Sequence, residues 1–234
     1  MRLILVRHGE PDYKNDRLTE KGIIQAELTA QYLKRENIKT VYSSPMGRAY
    51  HTAEYTARAA GVDLEVLDFM HEIDWGDISP CSKEDKLDHD GHPWALGFKL
   101  LTEEPGYVGS NDWEDHHFFK DNKCMEYYYR ISDLFDAFLS GHGYTRKDGL
   151  YFCTDECMDT IALFAHGGSG AIMLSHLLNL PFPFVLTTMP FGLCSISVIE
   201  LWPEKDKLAV PILELFNYRG HLNDRTDGGL TFEK

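Results

Sequence analysis

The sequence predicts an α/β fold, a three-layer sandwich in which helices flank a mostly parallel sheet. Residues 2–7 and 160–165 form short, continuous apolar runs, which is typical of strands covered on both faces. Strand-like and helix-like segments alternate along the chain, and this order favours units that build a parallel sheet. With 43% hydrophobic and 26% charged residues, the composition is sufficient for a packed core.

Spacing and capping signals place the elements of the amino-terminal part. They are a strand at 2–7, a helix at 19–36, a strand at 40–43, a helix at 45–60 and a strand at 64–67. The four-residue spacing of Ile24, Leu28 and Tyr32 indicates the buried face of the first helix. Pro45 suits the start of the second helix, and Gly61 ends it.

The carboxyl-terminal part begins with the buried strand at 160–165. It continues with a glycine-rich turn, a helix that ends at Leu178, and strands at 195–201 and 208–216. Residues 77–150 differ in character, because glycines and short polar clusters interrupt most of this stretch. We therefore predict a single domain, residues 1–234, with an insertion or cap at about 77–150.

Within the insertion, only residues 123–140 show clear helical periodicity. The apolar face predicted for this helix consists of Tyr127, Ile131, Leu134, Phe135 and Phe138. We expect the insertion to cover one edge of the sheet and to set the choice of substrate.

The chain carries a formal net charge of −14, from 37 acidic and 23 basic side chains. Binding to duplex nucleic acid or to an anionic membrane needs a basic surface, so this balance argues against both. No apolar run approaches the roughly 18 residues of a membrane span, and the amino-terminal run is too short for a secretory signal. The five cysteines are sparse and odd in number, which favours a reducing, cytoplasmic location.

Charged and polar side chains follow several of the predicted strands. The first strand ends at Arg7 and His8, and Arg48 lies just after the second strand. The strand at 160–165 is followed directly by His166. Because ligands of parallel α/β sheets bind beyond the carboxyl ends of the strands, we expect these groups to meet at one edge of the sheet.

The residue types at this edge suit phosphoryl transfer. A neutral imidazole such as that of His8 is a competent nucleophile toward phosphorus. The guanidinium groups of Arg7 and Arg48 match the charged oxygens of a phosphoryl group in transfer. His166 precedes glycines and the start of a helix, whose free amides favour an anion.

Cleavage of a phosphomonoester also needs a proton donor, because the leaving group is an alkoxide. Glu72 lies close in sequence to Trp75, and an apolar pocket would raise the pKa of its carboxyl group. The residues alone leave Asp68, Asp74 and Asp77 as equally plausible donors.

Five motifs resemble, in order and spacing, those of the histidine phosphatase superfamily, also called the phosphoglycerate-mutase-like family. They are Leu5 to Glu10, Leu18 to Gly22, Ser43 to Ala49, Glu72 to Gly76, and Phe164 to Gly168. The resemblance implies that His8 becomes phosphorylated, and that Arg7, Arg48 and His166 hold the phosphoryl group with the amide of Gly167. It also implies that no metal or other cofactor is required.

The resemblance selects Glu72 as the proton donor and as the base that later activates water. The family contains hydrolases and mutases, and residues 11–17 lack the asparagine-rich segment that marks the glycolytic mutases. We therefore predict a metal-independent phosphomonoester hydrolase that acts on a small phosphorylated metabolite.

Three alternatives remain beside hydrolysis. The first is a phosphoglycerate-mutase-type phosphotransferase, and the second is a non-catalytic phosphate-binding module with Trp94, Trp113 and Tyr127–Tyr129 as its partner surface. The third is a metal protein with ligands in 89–92 and 115–117. The sequence favours neither nucleic acid nor membrane as a partner, and it indicates no particular oligomeric state.

Overall fold

The computed structural model describes residues 1–76 and 91–225, and it confirms the predicted α/β fold. The strands, in chain order, are β1 (Arg2–Arg7), β2 (Pro11–Asp12), β3 (Arg17–Leu18), β4 (Ile38–Ser43), β5 (Leu64–Val66), β6 (Tyr144–Lys147), β7 (Leu150–Cys153), β8 (Thr160–Ala165), β9 (Ile196–Glu200), β10 (Leu208–Ala209) and β11 (Ile212–Tyr218).

The helices lie on both faces of the sheet. They are α1 (Glu20–Leu33), α2 (Gly47–Ala60), α3 (Pro93–Glu103), α4 (Cys124–Gly141), α5 (Gly167–Leu178) and α6 (Phe182–Thr188). Short 3₁₀ segments occur at Asp68–Met70, Pro105–Val108, Asn111–Asp115 and Gly220–Arg225. Within the described residues, no helix has the length and apolar character that crossing a bilayer requires.

The central sheet has six strands in the order β11-β9-β1-β8-β4-β5. β1 pairs in parallel with β8, β8 with β4, and β4 with β5. β9 runs antiparallel to both of its neighbours, β1 and β11. A second sheet contains β10, β7 and β6, and β2 pairs with β3 in a small hairpin. The mostly parallel arrangement agrees with the continuous apolar runs in the sequence.

Packing on both faces of the central sheet defines three layers. Leu3 and Leu5 of β1 belong to the core cluster that also contains residues of α4, α5 and α6. Ile4 and Val6 point to the opposite face and belong to the cluster that contains Leu33 of α1. Successive side chains of a strand point to opposite faces, so one apolar strand supplies both layers.

Helix α1 buries a different face from the predicted one. Ile24 is 41% exposed, whereas Ala26, Ala30 and Leu33 are buried. The helix packs against α2, whose contact face includes the buried Ala53. Small side chains let two helices approach closely, so the spacing of the larger apolar residues was the wrong guide here.

Helix α4 confirms that the insertion contains a helix, with one correction to its apolar face. Ile131 and Phe135 are buried as predicted, but Leu134 is 44% exposed. The helix packs against α5 and β6, and therefore forms part of one helical layer of the sandwich. The role of 77–150 as a cap stays a prediction, and residues 77–90 lie outside the described part of the chain.

The segment predicted as one strand at 208–216 divides between two sheets. β10 pairs with β7, and β11 joins the edge of the central sheet. Pro211 separates them, and proline has no N–H to continue a strand ladder. The hairpin of β6 and β7 was not predicted, although its turn residues Asp148 and Gly149 both have the positive φ that favours this dipeptide in hairpin turns.

Replacing Phe135 with alanine should lower the free energy of unfolding by about 3–5 kcal/mol, because removal of a buried aromatic ring leaves a cavity in the core. Phe135 has no exposed surface and packs beside Phe69. The neighbouring substitution Leu134→Ala is the matched control and should change it by no more than about 0.5 kcal/mol. Urea unfolding followed by circular dichroism measures both, and equal losses would contradict the orientation of α4.

Candidate active site

The carboxyl ends of β1, β4 and β8 bring distant parts of the chain together. The main-chain N–H of His8 donates to the carbonyl of Ala165 at 3.0 Å, and that of Ser44 donates to Phe164 at 2.9 Å. His166 follows Ala165 directly in the chain. Parallel pairing therefore places His8, Ser44 and His166 side by side at one edge of the sheet.

The two imidazole rings lie close together in the interior. His8 and His166 are each 1% exposed, and their ring centroids are 5.1 Å apart. Nδ1 of His8 is 2.7 Å from the carbonyl oxygen of Gly9. Because a carbonyl oxygen only accepts, Nδ1 carries the proton of the neutral ring and Nε2 keeps its lone pair. Nε2 of His166 is 2.7 Å from Oγ of Ser44.

Both imidazoles are held in the neutral form near pH 7. Burial, assisted by the positive charge of Arg7, lowers the pKa of His8 to about 3. Burial also lowers the pKa of His166, and its proximity to His8 and Arg48 acts in the same direction. A neutral ring with a free lone pair is the form of histidine that can attack an electrophile.

Two guanidinium groups lie beside these rings. Arg48 is 5% exposed, its Nη1 is 2.8 Å from Oδ1 of Asp16, and its Cζ lies 5.5 Å from the ring centre of Tyr13. Arg7 donates from Nη1 to the carbonyl oxygen of Phe191. The Nε atoms of both arginines are buried and have no hydrogen-bond partner among the described residues. These arginines therefore retain donors that an anion can use.

The carboxyl group of Glu72 lies at the same edge of the sheet, where the first turn of α5 holds it. Its Oε1 accepts hydrogen bonds from the main-chain N–H groups of Ile73 and Gly168 at 3.0 Å and of Ser169 at 3.1 Å. Burial raises the pKa of Glu72, although these amides and Arg7 oppose the shift. The carboxyl group thus keeps its proton at a higher pH than an exposed glutamate does.

Asp68 and Asp74, two of the other acids that the sequence left open, have exposed side chains. The side chain of Asp68 is 83% exposed and pairs with Arg130 at 2.8 Å. Asp74 accepts a hydrogen bond from the N–H of Gly76 within its own turn. Asp77 is outside the described residues. The geometry therefore favours the glutamate that the family resemblance selected.

Gly167 begins α5 next to Arg7. A Cβ atom at this position would lie 3.7 Å from Cζ of the arginine, so an anion on that guanidinium also approaches the start of the helix. Main-chain N–H groups and the helix dipole at this end favour negative charge. The structure thus groups every predicted site residue at one edge of the sheet.

Sequence reasoning missed several polar residues that support this group. Oγ1 of Thr52 accepts from the N–H of Gly9 at 3.0 Å and donates to the carbonyl of Arg48 at 2.7 Å. Ser44 lies within a motif used for the resemblance, so its position was a usable signal. For Asp16 there was no signal in the sequence. Its contact with Arg48 comes from a turn in which Asp16 has a φ of 45°, and the sequence does not indicate this backbone conformation.

The histidines considered for a metal site have other partners among the described residues. His116 bonds Oε1 of Glu104 through Nε2 at 3.1 Å and accepts from the N–H of Phe118 through Nδ1 at 3.2 Å. Both ring nitrogens therefore have structural partners. Across the described residues, no three potential ligands come together, and His89 and Asp90 fall outside that part of the chain.

The aromatic residues considered for a partner surface divide between interior and surface. Trp113 is 2% exposed and packs edge-on against Tyr128 at a centroid distance of 5.0 Å. Trp94 and Tyr129 are 44% and 48% exposed. The predicted residues therefore do not form one continuous exposed surface, which weakens that alternative.

Comparison with known proteins agrees with the resemblance found in the sequence. A family model described as the histidine phosphatase superfamily (branch 1) matches residues 3–106. Phosphoserine phosphatase 1 of Hydrogenobacter thermophilus is 34% identical over 117 residues, which cover 46% of this chain and 54% of that protein. A 2,3-bisphosphoglycerate-dependent phosphoglycerate mutase of Thermoplasma acidophilum is 41% identical over 83 residues, or 31% of this chain and 42% of that protein.

The alignments span about half the length of the curated relatives that the chain matches. Similarity of fold extends further. A phosphoserine phosphatase of Entamoeba histolytica, solved with 3-phosphoglyceric acid, superposes with a TM-score of 0.60 over 94% of this chain and 98% of that one. Its sequence identity is 22%, so this likeness bears on the fold alone.

Replacing Gly168 with alanine should destabilise the protein by about 1–3 kcal/mol, as overpacking does. The added Cβ would lie 2.5 Å from Cγ1 of Ile73 and 2.7 Å from Oε1 of Glu72. The control Gly141→Ala adds a methyl group to open space at the end of α4 and should be neutral or stabilising by up to about 1 kcal/mol. Urea unfolding of both variants measures the difference, and similar values would contradict the close approach of Glu72 to α5.

Proposed function

Because the chain belongs to the histidine phosphatase superfamily, we propose that it hydrolyses a phosphomonoester through a phosphohistidine formed on His8. The observation that carries this proposal is the hydrogen bond from Nδ1 of His8 to the carbonyl oxygen of Gly9. It leaves Nε2 as the nucleophilic atom, next to two guanidinium groups that bind anions. The substrate is a small phosphorylated metabolite.

In the first step, Nε2 of His8 attacks phosphorus in line with the ester oxygen. The P–N bond forms as the P–O ester bond breaks, and the phosphoryl group passes to the imidazole. Arg7 and Arg48 stabilise the charge on the equatorial oxygens, with His166 and the amide of Gly167 as further donors. Their positions are fixed before the substrate arrives, so little reorganisation is needed.

Glu72 supplies the proton that the leaving oxygen takes. Its Oε1 is occupied by three main-chain amides, so the proton of the acid form resides on Oε2. In the second step, the resulting carboxylate removes a proton from water as the water oxygen attacks phosphorus. The P–N bond then breaks, inorganic phosphate leaves, and His8 and Glu72 return to their starting forms.

Metal independence follows from the same set of charges. Arg48, which is buried, and Arg7, which is partly buried, supply the positive charge that a divalent cation supplies in other phosphoryl-transfer sites. Their guanidinium groups stay charged at any working pH.

A mutase-type transfer is the second candidate, because one of the similar proteins is named a phosphoglycerate mutase. Hydrolysis is favoured by residues 11–17, which lack the asparagine-rich segment that marks the glycolytic mutases, and by the phosphoserine phosphatase among the similar proteins. Release of inorganic phosphate, compared with transfer to a second hydroxyl compound, distinguishes the two reactions.

We also assign the protein to a reducing compartment such as the cytoplasm. The cysteines that the structure describes, Cys124, Cys153, Cys157 and Cys194, are free thiols. Free thiols persist where cellular reductants keep them reduced.

Incubation with a phosphomonoester and quenching with denaturant at alkaline pH should yield a protein with one added phosphoryl group, which later exposure to acid removes. His8→Gln should abolish both this species and turnover, because it removes the nucleophile while keeping a polar side chain. His51→Gln is the control, because the side chain of His51 is exposed on α2 and takes no part in the proposed steps, and this variant should still form the phosphohistidine and turn over. Intact-protein mass spectrometry and phosphate release measure the two effects.

Both measurements should give the same result with and without a strong chelator. Loss of activity in chelator, with recovery on addition of magnesium, would refute metal independence. An active His8→Gln variant would refute the phosphohistidine.

Activity should decline on the alkaline side as Glu72 loses its proton. The pKa of Glu72 is raised, so its acid form persists above the usual range of a carboxyl group and is lost as the pH rises through that value. His8, with a pKa of about 3, stays neutral throughout this range and does not limit the rate. We expect kcat/KM to fall about tenfold per pH unit beyond the pKa of Glu72.

Glu72→Gln should remove this alkaline decline and lower kcat/KM for phenyl phosphate by about 10²–10⁴-fold. The loss of kcat/KM should be much smaller for p-nitrophenyl phosphate, whose leaving group needs little protonation. Because kcat/KM excludes the later attack of water, which is the same for both substrates, equal losses of kcat/KM would show that Glu72 is not the proton donor.

A further inference from the structure

Ser44 is a buried residue at the end of β4, next to the end of β8, where His166 lies. It follows β4 directly, has no exposed surface, and its Oγ lies 2.7 Å from Nε2 of His166. The two residues are 122 positions apart in the chain, and the parallel pairing of β4 with β8 brings them together. Ser44 takes no part in the bond-forming and proton-transfer steps proposed for the reaction.

The contacts of the serine hydroxyl indicate where its proton points. The main-chain N–H of Met46 donates to Oγ of Ser44 at 3.2 Å and uses one lone pair of that oxygen. The hydroxyl proton is then directed to another acceptor, and Nε2 of His166 is at hydrogen-bond distance. A neutral imidazole that accepts at Nε2 carries its own proton on Nδ1.

We propose that Ser44 is a positioning residue that donates to Nε2 of His166 and thereby holds the ring proton on Nδ1, facing the phosphoryl group. This inference rests on the proposed function and deepens it. Nε2 is engaged by the serine, whereas Nδ1 is buried and has no hydrogen-bond partner among the described residues, so Nδ1 is the nitrogen that remains for the substrate. In the opposite tautomer, a lone pair at Nδ1 would face the phosphoryl oxygens and repel them.

A neighbouring residue provides a matched control. Ser43 is also fully buried, but its Oγ donates to the carbonyl oxygen of Ser44 at 2.9 Å. Ser43→Ala and Ser44→Ala remove the same atoms from adjacent positions of one strand end. Only Ser44→Ala leaves His166 without its hydroxyl partner.

Steady-state assays with p-nitrophenyl phosphate compare these variants. Loss of this hydrogen bond leaves Nε2 of His166 buried without a partner and frees the ring to adopt the other tautomer, which should lower kcat/KM of Ser44→Ala by about ten- to a hundredfold. Ser43→Ala should stay within about twofold of the unsubstituted protein. Ser44→Thr keeps the hydroxyl and should recover part of the lost activity. Equal effects of the two alanine substitutions would overturn the proposal.

Nitrogen NMR of protein labelled in its histidine rings tests the tautomer directly. We expect His166 of the unsubstituted protein to show a protonated Nδ1 and an unprotonated Nε2, with this preference lost in Ser44→Ala. A proton on Nε2 in the unsubstituted protein would overturn the proposal, even if Ser44→Ala does not fold. Absence of phosphatase activity with the expected tautomer present would instead reject the proposed function alone.

Discussion

The parallel pairing of β1, β8 and β4 is the constraint on which the rest of the site depends. The hydrogen bonds from His8 to Ala165 and from Ser44 to Phe164 fix how far each strand reaches at its carboxyl end. A shift of one residue in either pairing would turn each side chain to the opposite face of the sheet. The site therefore needs no contact of its own to bring these distant segments together, because the backbone of the core already does so.

Burial of this many polar groups has a cost that the surroundings partly offset. Taking a guanidinium group out of water is unfavourable by several kcal/mol unless it finds partners. Asp16 and the carbonyl oxygen of Phe191 provide such partners for the two arginines. Three main-chain amides do the same for Glu72. These contacts also fix the orientation of each group, which is what electrostatic stabilisation of a transition state requires.

The sequence was informative where a residue's role follows from its place in a strand. Arg7, His8 and His166 come directly at or after apolar runs, so the fold class was enough to bring them together. The resemblance was needed for Glu72, since local composition did not distinguish it from nearby aspartates. Asp16 could not be predicted, because its contact depends on a tight turn of unusual backbone conformation.

Helix faces and short strands were predicted less well for a related reason. The buried side of α1 uses alanines that a search for large apolar residues passes over, and Leu134 shows that such a search also includes exposed residues. Strands of two to four residues, such as β6 and β10, carry too few side chains for a periodic signal. Their existence depends on pairing partners that are distant in sequence.

The separation between strand ends and the helices α3 and α4 has an evolutionary consequence. Among the described residues, the groups assigned to the reaction come from the end of β1 and the residue after it, the segments after β5 and β8, and the first turns of α2 and α5, and none comes from α3 or α4. Substitutions at exposed positions of those two helices, such as Leu134, can therefore accumulate without displacing the reacting groups. The surface of α3 and α4 and the reaction centre are thus free to diverge independently of each other.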